Sequence, residues 1–257
     1  MQVKVALIGF LGMSPAVMTE LAMYLKNEGL TDIIMLPTKS KEVVRGARLV
    51  EAALNVRFPK IRVHIHMLPM EDVTTEKDNI IAAREMAKAI CKELYQFNTK
   101  KIFLNVAGGR KETTIVASLL GMYLGVTEIY HVVNRDIKAI NVYQEKIKEI
   151  IEKFENPNLN YRISIYKENK EELDYLLFPD MRDVEFIKVP IIPPTLEALA
   201  LVKRILKDGG LDLMEEPIPA YNLEIYKAAG LITYDKYRVW PTDLGLEIGR
   251  MLRCEYR

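Results

Sequence analysis

The chain has 257 residues, with 36 Lys and Arg against 35 Asp and Glu and a formal net charge of +1, which excludes a global basic field that captures nucleic acid without a local site. Hydrophobic residues make up 49% and charged residues 28%, the balance of a folded chain with room for one large domain, or a core domain and a small appendage, and not of a disordered one. Two cysteines, Cys91 and Cys254, exclude a disulfide scaffold and a cysteine metal site and point to a reducing, cytoplasmic setting.

The uncharged stretches 5–19 and 113–127 fall short of the ~20 apolar residues of a membrane span. The first is no signal-peptide core, because Gly9, Gly12, Ser14 and Pro15 interrupt it and no cleavage pattern follows. Only three glutamines stand among the many Lys, Glu and Arg residues, a composition that fits a thermophile.

In chain order, residues 3–8 read as a strand and 16–26 as a helix with Val17, Leu21 and Tyr24 on one face. Strands at 32–36, 61–67, 101–105 and 128–133 alternate with helices at 41–54, 78–95 and 112–124. That alternation predicts an α/β fold, a Rossmann-like, mostly parallel sheet covered by helices on both faces. Residues 134–180 are less regular, with a helix at 144–154 and a turn at Asn156-Pro157-Asn158. A last strand covers 184–192 and runs into the stiff segment Pro190–Pro194, so residues 1–190 are expected as one domain and 195–257 as another.

After that segment Thr195 is placed to cap a helix over 196–207 that stops at Gly209-Gly210. A short helix at 221–229, two short strands around Asp235-Lys236-Tyr237, and a helix at 243–253 capped by Thr242 complete the chain. This order resembles a winged helix-turn-helix. The module holds nine Lys and Arg against ten Asp and Glu and is formally −1. DNA binding through it is therefore disfavoured against a dimerisation or lid role, because DNA readers carry a positive face.

Two loops carry chemistry. Strand one runs into Gly9-Phe10-Leu11-Gly12-Met13-Ser14-Pro15. Its glycines either only make a turn or let a ligand approach the backbone. Ser14 before Pro15 suits a helix N-cap and first helical position. The spacing is neither a dinucleotide fingerprint nor a Walker loop. Strand four ends in Asn105-Val106-Ala107-Gly108-Gly109-Arg110-Lys111, a helix start with two added cations that suits phosphate. Strands one and four are expected side by side at the switch point of the sheet, so both loops would face one crevice.

The pairing of "GFLGMSPAVMTE" with "NVAGGRKETT" resembles the CRISPR-associated Rossmann fold (CARF) family, as does the order of a Rossmann domain before a winged helix. The resemblance implies a homodimeric receptor for cyclic oligoadenylate, most often the four-membered ring, lying across the two-fold axis. It implies ligand contacts from Gly9, Phe10, Gly12, Met13, Ala107, Gly108, Gly109, Arg110 and Thr113, with His131 in reach at the end of strand five. The fused ribonuclease of some relatives carries an Arg-x4–6-His signature. The only histidines here are His64, His66 and His131, none of them C-terminal, which leaves two subclasses. One is a ring nuclease that cuts the ring by attack of a ribose 2′-OH, without metal or cofactor, through residues resembling the family's active pair, Ser14 and Lys111. The other is a winged-helix transcription regulator that binds the ring and DNA without cleavage.

His64 and His66 share a strand face but lack a third ligand, and read as ordinary strand residues. Glu71 and Asp72 read as a solvated loop. The helix over 113–124 has almost no charge on any face, so it must be buried all round, and a homodimer interface would do that.

Overall fold

In a computed structural model, which describes residues 3–191 and 196–246 (side chains of 196–199 excepted), the chain divides into two compact units, Met1–Lys188 and Val189–Arg257. The expected cap Thr195 and most of the expected last helix lie outside the described residues.

The first unit is built on a six-stranded sheet in the order β3-β2-β1-β4-β5-β6. The strands are β1 (Val5–Leu11), β2 (Asp32–Pro37), β3 (Arg62–Ile65), β4 (Lys101–Asn105), β5 (Glu128–Asn134) and β6 (Val184–Val189). β1 pairs in parallel with β2 and β4, β2 with β3, and β4 with β5. β6 runs the other way. Lys188 near its end bonds Glu128 at the start of β5, while Glu185 near its start bonds Arg135 just past the end of β5.

Every residue of β1 and β2 is buried, as their continuous apolar runs require of strands covered on both faces. β3 is an edge strand, and its burial alternates along the chain. Helices α1 (Ala16–Tyr24) and α2 (Lys41–Arg57) pack on one face and α3 (Glu76–Cys91) and α4 (Lys111–Leu124) on the other. α3 begins on a capping box between Thr75 and Asp78, which moves its start two residues ahead of the expected one. α4 stops at Gly125, whose φ of +77° takes the left-handed conformation of a helix terminus.

The region read as irregular is almost all helix: α5 (Ile137–Lys146), α6 (Lys148–Glu152), α7 (Leu159–Glu168) and α8 (Lys170–Leu177). Their apolar residues Ile165, Tyr166, Leu173, Leu176 and Leu177 join the core beneath α1 and α2. The short amphipathic turns conceal this in the sequence, since each helix shows at most three turns of period.

β1 also differs from expectation. It continues to Leu11, so Gly9 and Phe10 are strand residues, because the register with β2 persists to Leu11↔Pro37.

In the second unit α9 (Leu196–Lys207), α10 (Ala220–Ala228), β8 (Ile232–Tyr234) and β9 (Arg238–Pro241) follow in the expected order, with a short strand β7 (Leu211–Asp212) between the two helices that the sequence did not mark. The strands form an antiparallel sheet β7-β9-β8. The Thr242 hydroxyl accepts from Gly245 N–H at 3.0 Å, the capping bond expected at the start of the closing helix.

Candidate functional site

The strand order reverses between β1 and β4, so the crevice of a doubly wound sheet opens at their carboxyl ends. The two glycine loops leave these strands and meet backbone to backbone. A Cβ on Gly108 would lie 2.3 Å from the Phe10 carbonyl oxygen, and one on Gly12 would lie 3.0 Å from the Gly109 nitrogen. Gly109 has φ +88°, and a Cβ there would press on Thr113 and Phe10. These glycines are required for the loops to touch, which brings the starts of α1 and α4 side by side.

Asn105, fully buried, locks the arrangement. Its Nδ2 donates to the Val17 carbonyl at 2.8 Å and its Oδ1 accepts from Ala107 N–H at 2.8 Å. Thr113, also buried, donates to the Arg110 carbonyl at 2.7 Å and tightens the first turn of α4. Gly9 takes no part in the surface of the site. It is buried in β1, where a Cβ would meet Asn105 and Met18, both at 3.0 Å.

Two clefts flank the joined loops. One, about 380 Å³, is lined by Phe10, Gly12, Met13, Gly109, Arg110 and Thr113 together with side chains of β2, α2 and the β3–α3 loop. The other, about 310 Å³, lies toward β5 and gathers Ser14, Glu20, Ala107, His131 and Asn134 over an apolar floor. The structure therefore brings the expected ligand residues to one end of the sheet but divides them between two clefts. Ser14 and His131 share one; Phe10, Gly12, Met13, Gly109, Arg110 and Thr113 share the other.

Ser14 does not cap α1. The helix starts at Ala16 after Pro15 without a side-chain cap bond, and among the described residues the Ser14 hydroxyl has no hydrogen-bond partner. Lys111 is the exposed first residue of α4, and it has no ion pair among the described residues. Arg110 is different. Its guanidinium forks onto Asp72, with Nε to Oδ1 at 2.9 Å and Nη2 on Oδ2, and this fork holds the Asp72 carboxyl below the usual carboxylate range. Asp72, read from the sequence as a solvated loop residue, is thus part of the site.

Sequence reasoning also missed Glu20. It is the only charged residue of α1, 1% exposed, and it accepts from Asn134 Nδ2 at 2.8 Å. Burial pushes its carboxyl pKa up, and the Asn134 hydrogen bond opposes this in part. The signal was a lone charge in an otherwise apolar helix directly behind the glycine loop. His64 and His66 lie elsewhere, beside Lys4, Asp32 and Arg62.

The model for the family described as CRISPR-associated protein NE0113 matches residues 14–208. The CRISPR system ring nuclease SSO2081 of Saccharolobus solfataricus is 28% identical over an alignment of 188 positions that covers 71% of this chain and 98% of that protein. Among solved structures, Enterococcus italicus Csm6 bound to cyclic hexa-2′-fluoro-hexa-dAMP superposes with a TM-score of 0.49 at 14% identity, over 98% of this chain and 54% of Csm6. Can2 from Sulfobacillus thermosulfidooxidans, in complex with cyclic tetra-adenylate, gives 0.36 at 11% identity, over 95% of this chain and 63% of Can2. The chain spans less than two thirds of the length of either solved protein.

Proposed function

The chain belongs to the family of CRISPR-associated protein NE0113, and from that premise we propose that it is a ring nuclease acting on a cyclic oligoadenylate, first of all cyclic tetra-adenylate. The observation that carries this reading is the 28% identity to a CRISPR ring nuclease along 98% of that protein's length. The joined glycine loops support it, because they set two helix N-termini side by side at the carboxyl end of the sheet, and helix N-termini attract phosphate.

A ribose 2′-oxygen attacks the adjacent phosphorus, the P–O5′ bond breaks, and the products carry a cyclic phosphate and a 5′-hydroxyl. The protein's work is to hold the two oxygens in line and to stabilise charge at phosphorus. Lys111, exposed at the start of α4, supplies that charge. Ser14, with its hydroxyl uncommitted, orients the attacking group or bonds the phosphate. The step as written uses no metal and no cofactor.

The ring is read as lying across a homodimer axis. The stripe Ile115, Leu119 and Tyr123 on α4 is 62%, 48% and 66% exposed in the single chain, where the sequence called for burial all round, and a second copy would cover it. The C-terminal unit is read as a winged helix with a dimerisation or lid role and not a DNA-binding one, and a cytoplasmic location is read with the messenger.

The test is incubation with labelled cyclic tri-, tetra- and hexa-adenylate in EDTA, resolved by chromatography, with light scattering for the dimer. Linear product is expected. Tight binding without product over hours assigns the chain to the regulators instead, and no binding to any ring removes both readings. A monomer at micromolar concentration removes the dimer.

A further inference from the structure

The cleft that holds Ser14 contains a carboxyl group that the proposed cleavage does not use. Glu20 is 1% exposed, yet it lines that cleft. Its partner Asn134 cannot turn away, because Asn134 Oδ1 accepts from Asp136 N–H at 2.9 Å while Nδ2 donates to Glu20 Oε1 at 2.8 Å. Among the described residues the Glu20 carboxyl has no other hydrogen-bond partner, so Oε2 is left to the cleft. Oε2 therefore faces the cleft at a deep, nearly closed position, where a ligand group can pair with it.

The remainder of the lining selects the ligand. Ala16, Val17, Ala107, Val132, Ile137 and Ile140 make the walls apolar, which suits a flat ring and not a phosphate. Glu20 lies four residues beyond the first residue of α1, about 6 Å along the axis at 1.5 Å per residue. A phosphate at the start of that helix would leave its own nucleoside reaching to this depth. The same separation makes Glu20 remote from the attacking hydroxyl, so it is no general base.

Resting on the ring-nuclease reading, we infer that Glu20 reads the nucleobase in this cleft, its carboxyl pairing with the edge of adenine that sets a ring nitrogen beside the exocyclic amine. That edge offers one acceptor and one donor. An uncharged carboxyl matches it with an O–H and a C=O, whereas an ionised carboxylate would match two donors, as on guanine. The cleft shifts the carboxyl toward the uncharged form. Its polar lining besides Glu20 is Ser14, His131 and Asn134, with no Lys or Arg. Burial raises the carboxyl pKa in the same sense.

The experiment compares cyclic tetra-adenylate with the same ring built from purine riboside, which lacks the amine, for the wild type, Glu20→Gln and Glu20→Leu. Dissociation constants and single-turnover rates are measured on each, with melting temperatures as the folding control. The wild type should bind the adenine ring about tenfold or more tightly over the other, the worth of one to two hydrogen bonds. Glu20→Leu should lose most of that preference, weakening the adenine ring by both bonds and the purine ring only by the one to its ring nitrogen. Glu20→Gln keeps a donor and an acceptor and should stay within about threefold of wild type. The proposal is overturned by a wild type that binds both rings equally, by Glu20→Leu weakening both rings alike, or by Glu20→Gln losing the preference. Should Glu20→Leu not fold, the wild type and Glu20→Gln arms decide alone. A wild type that binds neither ring removes the ring-nuclease reading and this inference together; one that binds both equally removes only the inference.

Discussion

The two ends of the central sheet treat charge in opposite ways. At the amino end, Asp32 is buried and saturated: Arg62 donates from Nε and Nη2 at 2.9 and 2.7 Å, Thr31 at 2.7 Å, and His64 Nε2 lies at 3.0 Å. Glu93 beside it takes Lys4 at 2.9 Å and Thr99 at 2.5 Å. At the carboxyl end the Ser14 hydroxyl and Lys111 have no partner among the described residues, and Glu20 has a single one. Both ends hold charged and polar groups around a cleft. The difference lies in the buried carboxylates: Asp32 and Glu93 each take several partners, Glu20 only one. The closed network fixes the sheet, and the open groups are left to a ligand; His64, which stood out in the sequence, is part of the closed network.

Breaking the closed end gives the largest effect. Asp32→Ala removes the buried acceptor shared by Thr31, Arg62 and His64 and leaves a cavity, and should cost about 2–3 kcal/mol of unfolding free energy, read as a lower urea midpoint, with ring cleavage per folded molecule unchanged. The same network predicts a pH dependence. Burial alone would raise the Asp32 carboxyl, but hydrogen bonds from Arg62, Thr31 and His64 and the charge of Lys4 prevail and bring it from 3.8 to about 2. A depressed folded-state pKa means the stabilisation is complete above the unfolded value and is lost as pH falls through the folded one. The stability gap between wild type and Asp32→Asn should therefore hold at pH 5 and shrink between about pH 4 and 2. A gap that does not move in that window removes the network as its cause.

At the open end the expected losses are functional and not structural. Lys111→Ala should weaken binding and slow cleavage, because phosphates feel its charge in both ground and transition states. One charge-assisted contact is worth about 1.5–3 kcal/mol per site, roughly ten- to hundredfold, and a symmetric ring feels it twice. Ser14→Ala should cost mainly rate, since in-line positioning is more sensitive than affinity. Both variants should melt as wild type does, because neither side chain is bonded to the described protein. A Ser14→Ala protein that melts lower but cleaves normally would reduce Ser14 to a structural residue.

How much of this was legible in the sequence follows from the same contrast. The alternating strands and helices, the neighbouring central strands and the two glycine loops were readable because buried parallel strands and loop glycines leave local patterns. Helices α7 and α8 were not, since their short apolar stripes become intelligible only once packed under α1 and α2. Gly9 was read as loop because strand pairing, not local sequence, carries β1 on to Leu11. Asp72 and Arg110 are 38 residues apart, and no spacing rule joins a loop carboxylate to a cation on another strand's loop. Asn105 opens the second loop motif, but its clamp on Val17 exists only in the fold.

The Asp72–Arg110 pair gives the smallest effect and the finest distinction between the two ends. Their side chains are 40% and 59% exposed, so the pair adds little to stability, unlike the closed network around Asp32. What it does is occupy the one cation of the glycine loop that is already paired. A ring phosphate approaching Arg110 must displace or share Asp72. Asp72→Asn removes the negative charge while its Oδ1 can still accept from Val73 N–H, a bond of 2.8 Å here. Ring binding should then tighten about two- to fivefold at low salt, the advantage shrinking as salt screens the exposed charges, with melting temperature unchanged. Weaker binding by Asp72→Asn would mean that the carboxylate aims Arg110 at the phosphate and does not compete for it, and the open end would then contain one closed pair built for the ligand itself.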